Sequence, residues 1–199
     1  MNVSDTFPLL RKGWGRQRMI QEQIRFATPL VEQGVDFRPF PSPEAPSDVV
    51  ARFIASNIPG AGKSSTLQGI ATLDASGEII GAVALVPALV TRPGDPDDQM
   101  LIFQVRYVAV APQWRHQGIG TVMLCIMDQL EVRENITRRV FVGGCAPAEA
   151  RFYQRAGFDV LQPGALLPGE FLGREGGVHP NGNADYPCWI LRTWSPQHP

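Results

Sequence analysis

Apolar residues recur along this chain in two alternating spacings. A helical spacing is seen weakly around Met19, Ile20, Ile24 and Phe26 and clearly at Val49, Val50, Phe53, Ile54 and Ile58. The second helix is predicted to follow the proline-rich break at 39–46, with Ser47 or Asp48 as its cap, and to stop at Pro59 and Gly60. Residues 66–73 and 78–86 are rich in β-formers and flank Asp74-Ala75-Ser76-Gly77, which predicts an antiparallel hairpin whose second strand ends by Pro87. A polar loop is expected at 92–98. Residues 100–111 then form the longest strand candidate, with Phe103, Val105, Tyr107 and Ala109 on one side and Gln104, Arg106, Val108 and Val110 on the other.

The helical period returns over 118–134 through Val122, Met123, Ile126, Met127 and Leu130. A short strand at 139–142 precedes a helix that Pro147 opens and Gly157 closes. Strands at 158–161 and 189–194 are separated by a Gly- and Pro-rich segment, 162–187, which is long for a structureless loop and is expected to act as a lid or substrate loop. There is no internal repeat. The order of helix, three strands, helix, strand, helix, strand, strand defines an α+β chain.

Composition narrows the class further. With 199 residues and a net charge of -1, the chain fits one globular domain and carries no general signature of nucleic-acid or anionic-membrane binding. Met1 is followed by a polar segment, and no apolar run approaches the roughly 18 residues of a membrane span, so a cytoplasmic protein is expected. Cys125, Cys145 and Cys188 are odd in number and widely spaced, as free thiols would be. His116, His179 and His198 are too scattered to be metal ligands, and no metal site is expected.

The chemistry concentrates in Val108-Ala109-Val110-Ala111-Pro112-Gln113-Trp114-Arg115-His116-Gln117-Gly118-Ile119-Gly120-Thr121, an apolar strand joined through a glycine-interrupted loop to a helix. A helix start presents unpaired N–H groups and partial positive charge, and glycines let a bulky phosphate approach the backbone. This segment resembles the acyl-CoA-binding motif of the GNAT superfamily of N-acetyltransferases, and Ala148 to Phe158 resembles the A-x-x-[FL]-Y-x-x-x-G-F block of the same family.

The resemblance implies a GNAT-like acyl-CoA N-acyltransferase fold, a mixed central sheet flanked by helices. It divides the chain into a helical N-terminal extension, 1–28, and an acetyltransferase domain, 29–199. It implies direct transfer of an acetyl group from acetyl-CoA to a small-molecule or protein amine, and leaves the oligomeric state open, a homodimer included. Val108 and Val110 would pair with the pantetheine arm. Arg115, His116, Gln117, Gly118, Ile119, Gly120 and Thr121 would hold the pyrophosphate, with the Arg115 guanidinium and Thr121 hydroxyl as extra partners. Tyr153 would protonate the departing thiolate, a task that suits a phenol of reference pKa about 10.

Three positions depart from the pattern. Gln104 stands where many relatives carry a carboxylate base, Ala146 where a cofactor-contacting asparagine is frequent, and Arg106 is a cation beside the missing base. The base is then expected on 95–98 or 162–187, or the acceptor arrives largely neutral; a non-catalytic acyl-CoA-binding module is the alternative. Cys145 reads as a small residue at a strand end rather than a nucleophile. Gly62-Lys63-Ser64 imitates the end of a P-loop, but Asn57 holds the first glycine's place and a helix candidate precedes it.

Overall fold

The computed structural model describes residues 14–62, 67–92, 95–130, 136, 138–172, 176–178 and 185–194. Lys63–Ser65 of the P-loop-like stretch, residues 131–134 of the expected helix, His179 and His198 lie outside them. In chain order the elements are α1 (Trp14–Glu32), β1 (Asp36–Phe40), α2 (Ser47–Asn57), β2 (Gln68–Leu73), β3 (Ile79–Arg92), β4 (Asp95–Val110), α3 (Ile119–Ile126), β5 (Arg138–Cys145), α4 (Ala150–Arg155), β6 (Asp159–Val160), β7 (Leu167–Pro168), β8 (Gly177–Val178) and β9 (Cys188–Trp194). Seven strands form a mixed sheet in the order β1-β2-β3-β4-β5-β9-β6, and β7 pairs with β8 separately. β4 and β5 are parallel from Met100↔Arg138 to Gln104↔Val142, where their register ends, whereas β9 runs antiparallel to both β5 and β6.

The expected hairpin forms around Asp74. Its Oδ1 accepts from the Ser76 N–H at 2.9 Å, the Ser76 hydroxyl at 2.7 Å and the Glu78 N–H at 3.0 Å. The Ser76 hydroxyl leads the contacts that hold this carboxyl below its ordinary range. β3 does not end by Pro87 but continues to Arg92. Its register with β2 stops at Leu85, so Pro87 needs no N–H on that side and the strand passes through it. The polar loop expected at 92–98 is likewise mostly strand, because β4 starts at Asp95.

Two helices also differ from expectation. The N-cap of α2 is Pro46, with no side-chain cap, rather than Ser47 or Asp48. α3 gives way to a 3-10 turn at Met127–Gln129 instead of continuing as α-helix. In α1 the inward positions are Met19, Phe26 and Leu30, whereas Ile20 and Ile24, grouped with Met19 and Phe26 by sequence, face solvent. The segment 162–187 contains the β7–β8 pair and a 3-10 turn at Gly169–Leu172.

The chain divides into two compact units. The first takes Met19–Val86 with Val105–Glu131, and the second takes Met1–Arg18, Pro87–Gln104 and Val132–Pro199. In the first, Val50 and Ile54 of α2 pack with Phe40, Ala71, Leu73, Ala82, Ala84 and Ala109. Gly81 brings α3 close to the sheet: a Cβ there would stand 2.9 Å from Ile119 Cγ2 and 3.3 Å from Met123 Cε. In the second, Met100, Ile102, Val140, Val142, Trp189 and Leu191 pack with Leu161 and Leu167.

Asp159 on β6 is a local weakness of the second unit. Burial pushes its carboxyl from 3.8 up to about 6. The folded carboxyl therefore keeps a proton that the unfolded chain releases, and stability falls as pH rises between these values. Asp159→Asn is expected to raise the melting temperature at pH 7.5 and to leave it unchanged at pH 3.5. The gain is roughly 1 kcal/mol after allowing for solvent screening at a partly exposed site. Thermal melts at the two pH values check this, and equal shifts at both would assign the effect to something other than ionisation.

Candidate functional site

The glycine-bearing loop lies within the first unit. After β4, the Ala111 N–H donates to the Ile80 carbonyl at 2.9 Å, and Pro112–Trp114 make one 3-10 turn. Arg115 Nε donates to the Val110 carbonyl at 3.0 Å, and Gln117 Nε2 to the Gln113 carbonyl at 3.1 Å. Two loop residues are left-handed: His116 at φ 63° and Gly118 at φ 93°. Gly118 is the N-cap of α3 and offers no capping side chain, so the N–H groups of the first turn have no side-chain cap from it. Arg115, His116 and Gln117 are exposed, and Val108 and Val110 are half-buried. Thr121 is buried, which makes it less open to a ligand than its place in the motif suggests. Because Arg115 commits Nε to Val110, it can turn only its Nη groups to an anion.

The second unit places Tyr153 on α4. A 3-10 turn at Pro147–Glu149 starts this helix, with the Ala146 N–H donating to Glu149 Oε2 at 3.0 Å. Gly157, at φ 82°, ends it. The Tyr153 ring meets Phe152 and Phe158 edge-on, with centroids 4.9 Å and 5.8 Å away. Burial raises its pKa above the ordinary phenol value, and Glu149, Cys145 and Tyr186 add to the rise. The phenol is thus a proton donor that stays protonated well above neutral pH.

Cys145 and Cys188 are direct partners across β5 and β9, and both are buried. Burial pushes the Cys145 thiol up to about 12, so it is an inert thiol at a strand end and no nucleophile. The exposed Tyr186 sits over Gly144, where an added Cβ would be 3.3 Å from Tyr186 Cβ.

Sequence reasoning missed Arg192. This β9 residue is only 6% exposed and donates from Nη1 to the Ala156 carbonyl at 2.7 Å. Its guanidinium carbon lies 5.0 Å from the Phe141 ring centroid and 4.7 Å from that of Phe158. Ala156 is the C-cap of α4, so Arg192 satisfies a terminal carbonyl and places a cation at the negative end of the helix that carries Tyr153. A lone arginine inside the apolar run Cys188-Trp189-Ile190-Leu191-Arg192 was the available signal.

No base emerges at the usual position. Gln104 is half-buried in β4, and Arg106 is exposed with its guanidinium carbon 5.9 Å from the Tyr107 ring. Glu149, which the sequence did not single out, is the carboxylate whose charge reaches both Tyr153 and Cys145. The P-loop imitation follows α2 and leads to β2, and its Gly62 N–H is held by the Tyr107 hydroxyl at 3.0 Å. Among the described residues no group of three or more His, Cys, Asp or Glu could hold a metal ion, and no helix is long and apolar enough to cross a membrane.

Residues 68–160 match the family model of the acetyltransferase (GNAT) domain, a span that contains the strand, the loop, α3 and Tyr153. Residues 68–160, a little under half of the chain, are thus similar to the domain of the GNAT superfamily, the class of acyl-CoA-dependent N-acyltransferases. It is similar in structure to Arabidopsis thaliana NAA60 in complex with acetyl-CoA, at 13% identity and a TM-score of 0.52, covering 81% of this chain and 99% of that one. It is also similar to an IAA acetyltransferase from Bacillus cereus ATCC 14579, at 17% identity and TM-score 0.47, covering 81% of this chain and 99% of that one. An aminoglycoside 6'-N-acetyltransferase complexed with coenzyme A is 13% identical with TM-score 0.49, covering 79% of this chain and 96% of that one. At these identities the likeness concerns the fold, for which the first carries the weight. No curated protein sequence matches the chain.

Proposed function

We propose that this protein transfers an acetyl group from acetyl-CoA directly to an amine of a small molecule or a protein. The observation that carries the proposal is the left-handed Gly118 at the uncapped start of α3, inside the residues that match the family. There the N–H groups of the loop and first turn, Arg115 to Thr121, hold the pyrophosphate. Val108 and Val110 meet the pantetheine arm, and Tyr153 returns a proton to the coenzyme A thiolate. The residues fit such a donor because the anion-binding elements are backbone N–H groups and exposed polar side chains rather than carboxylates. We place this activity in the cytoplasm, in a domain spanning 29–199 with 1–28 as its extension.

The acceptor must arrive as a free amine. A lysine-like amine of pKa about 10.4 is roughly one part in a thousand neutral at pH 7.4, a cost of about 4 kcal/mol. With glutamine at position 104, the chain supplies no carboxylate from the usual strand position to reduce that cost. Turnover is therefore expected to climb with pH toward the acceptor's own pKa.

Calorimetric titration with acetyl-CoA and coenzyme A, followed by an amine panel, tests the proposal. Saturable binding of both and acetylation of at least one amine class are expected. Absence of donor binding would overturn it, and tight binding without transfer to any amine would reduce the protein to an acyl-CoA-binding module.

A further inference from the structure

α1 lies outside the residues that match the family, yet it touches the donor loop. The Cys125 thiol of α3 donates to the Met19 carbonyl of α1 at 3.5 Å. Seven residues further along α1, Phe26 lies against Gly118, seven residues back along the other chain segment; the two contacts therefore define an antiparallel pair. A Cβ built on Gly118 would stand 2.6 Å from Phe26 Cβ and closer still to its ring, so the aromatic side chain occupies the space that glycine leaves open. Phe26 is half-buried, and the Arg25 guanidinium carbon lies 5.1 Å from its ring centroid.

We infer that Phe26 is a positioning residue for the donor-binding loop: its ring holds Gly118 in the conformation that aims the first-turn N–H groups of α3 at the donor's pyrophosphate. This rests on the proposed acyl-CoA activity. The loop needs an external support because two of its residues, His116 and Gly118, are left-handed and its own side-chain restraints are two, from Arg115 to Val110 and from Gln117 to Gln113. A left-handed non-glycine residue is held at a cost, and a glycine has many alternatives of similar energy. Removing the ring frees Gly118 to leave the productive geometry, and the donor then has to restore that order on binding.

The test compares wild type, Phe26→Ala and Phe26→Leu in the full chain. Coenzyme A affinity is read by calorimetry, kcat and KM by turnover, and the loop by amide hydrogen exchange of residues 119–121 in the free protein. Phe26→Ala is expected to weaken coenzyme A binding about tenfold and raise the KM for acetyl-CoA in step, with kcat within about twofold at saturation. Exchange at 119–121 should quicken, and Phe26→Leu should recover most of the affinity.

If wild type binds coenzyme A and Phe26→Ala binds it equally, the inference falls while the proposed function stands. Tighter binding by Phe26→Ala would make the ring a plug and overturn the inference too. Unchanged exchange would do so independently of any ligand. Failure of wild type to bind coenzyme A would remove both proposals. Should Phe26→Ala fail to fold, Phe26→Leu and Phe26→Met provide the same comparison, expected at a threefold to fivefold loss for the more flexible methionine (on the order of 1 kcal/mol).

Discussion

Gly118→Ala is expected to abolish measurable acetyl-CoA binding, a loss of about a hundredfold or more, and to lower the melting temperature. Two effects combine. The backbone at φ 93° is one that L-residues other than glycine adopt at a cost of about 1–2 kcal/mol. The new methyl group would also stand 2.6 Å from Phe26 Cβ, so either the ring or the start of α3 must move. Since the N–H groups of that first turn are the proposed pyrophosphate ligands, a displacement there costs affinity as well as stability.

Gly60→Ala supplies the control. Gly60 is left-handed at φ 76°, but a Cβ there meets nothing within 4 Å. It should show the backbone penalty alone, with donor binding intact. Calorimetric titration and thermal melts of the two variants separate strain from contact. A Gly118→Ala protein that binds acetyl-CoA like wild type would take the phosphate site away from this loop.

Tyr153→Phe is expected to cut kcat by about a hundredfold while leaving the donor dissociation constant within about twofold, because only the hydroxyl group, and with it the transferable proton, is lost. The phenylalanine ring retains the edge contacts with Phe152 and Phe158, so the fold is expected to survive. Burial and the nearby Glu149 carboxylate keep the wild-type phenol protonated beyond its ordinary range. No alkaline loss of activity should then arise from this group below about pH 10, the unperturbed phenol value. Single-turnover measurements over pH 6–10 read both effects, and equal turnover by the variant would end the acid role.

Local signals carried the sequence reading furthest. Asp74-Ala75-Ser76-Gly77 encodes its turn in four adjacent residues, and the alternation along residues 103–110 records which side of β4 is the more buried. Both are short-range patterns, as are the Gly118 N-cap and the Gly157 stop of α4. What stayed hidden depends on partners far away in sequence. Pro87 looks like a strand end unless one knows that β2 no longer pairs beside it. Ile20 and Ile24 look as inward as Met19 until the surface that α1 packs against is known. Phe26 and Arg192 were opaque for the same reason, since the atoms that they support, at Gly118 and Ala156, lie tens of residues away.

The bond from Arg192 to Ala156 has a consequence for the order in which the protein acquires its chemistry. α4 is six residues long, too short to persist on its own merits, and β9 inserts between β5 and β6, both of which precede it in the chain. During synthesis the phenol-bearing turn therefore emerges from the ribosome before the strand that fastens it. A nascent chain halted short of residue 192 would carry the proposed donor loop complete and the proposed proton donor unanchored. The capacity to hold acetyl-CoA and the capacity to use it would then arise as separate events in biogenesis.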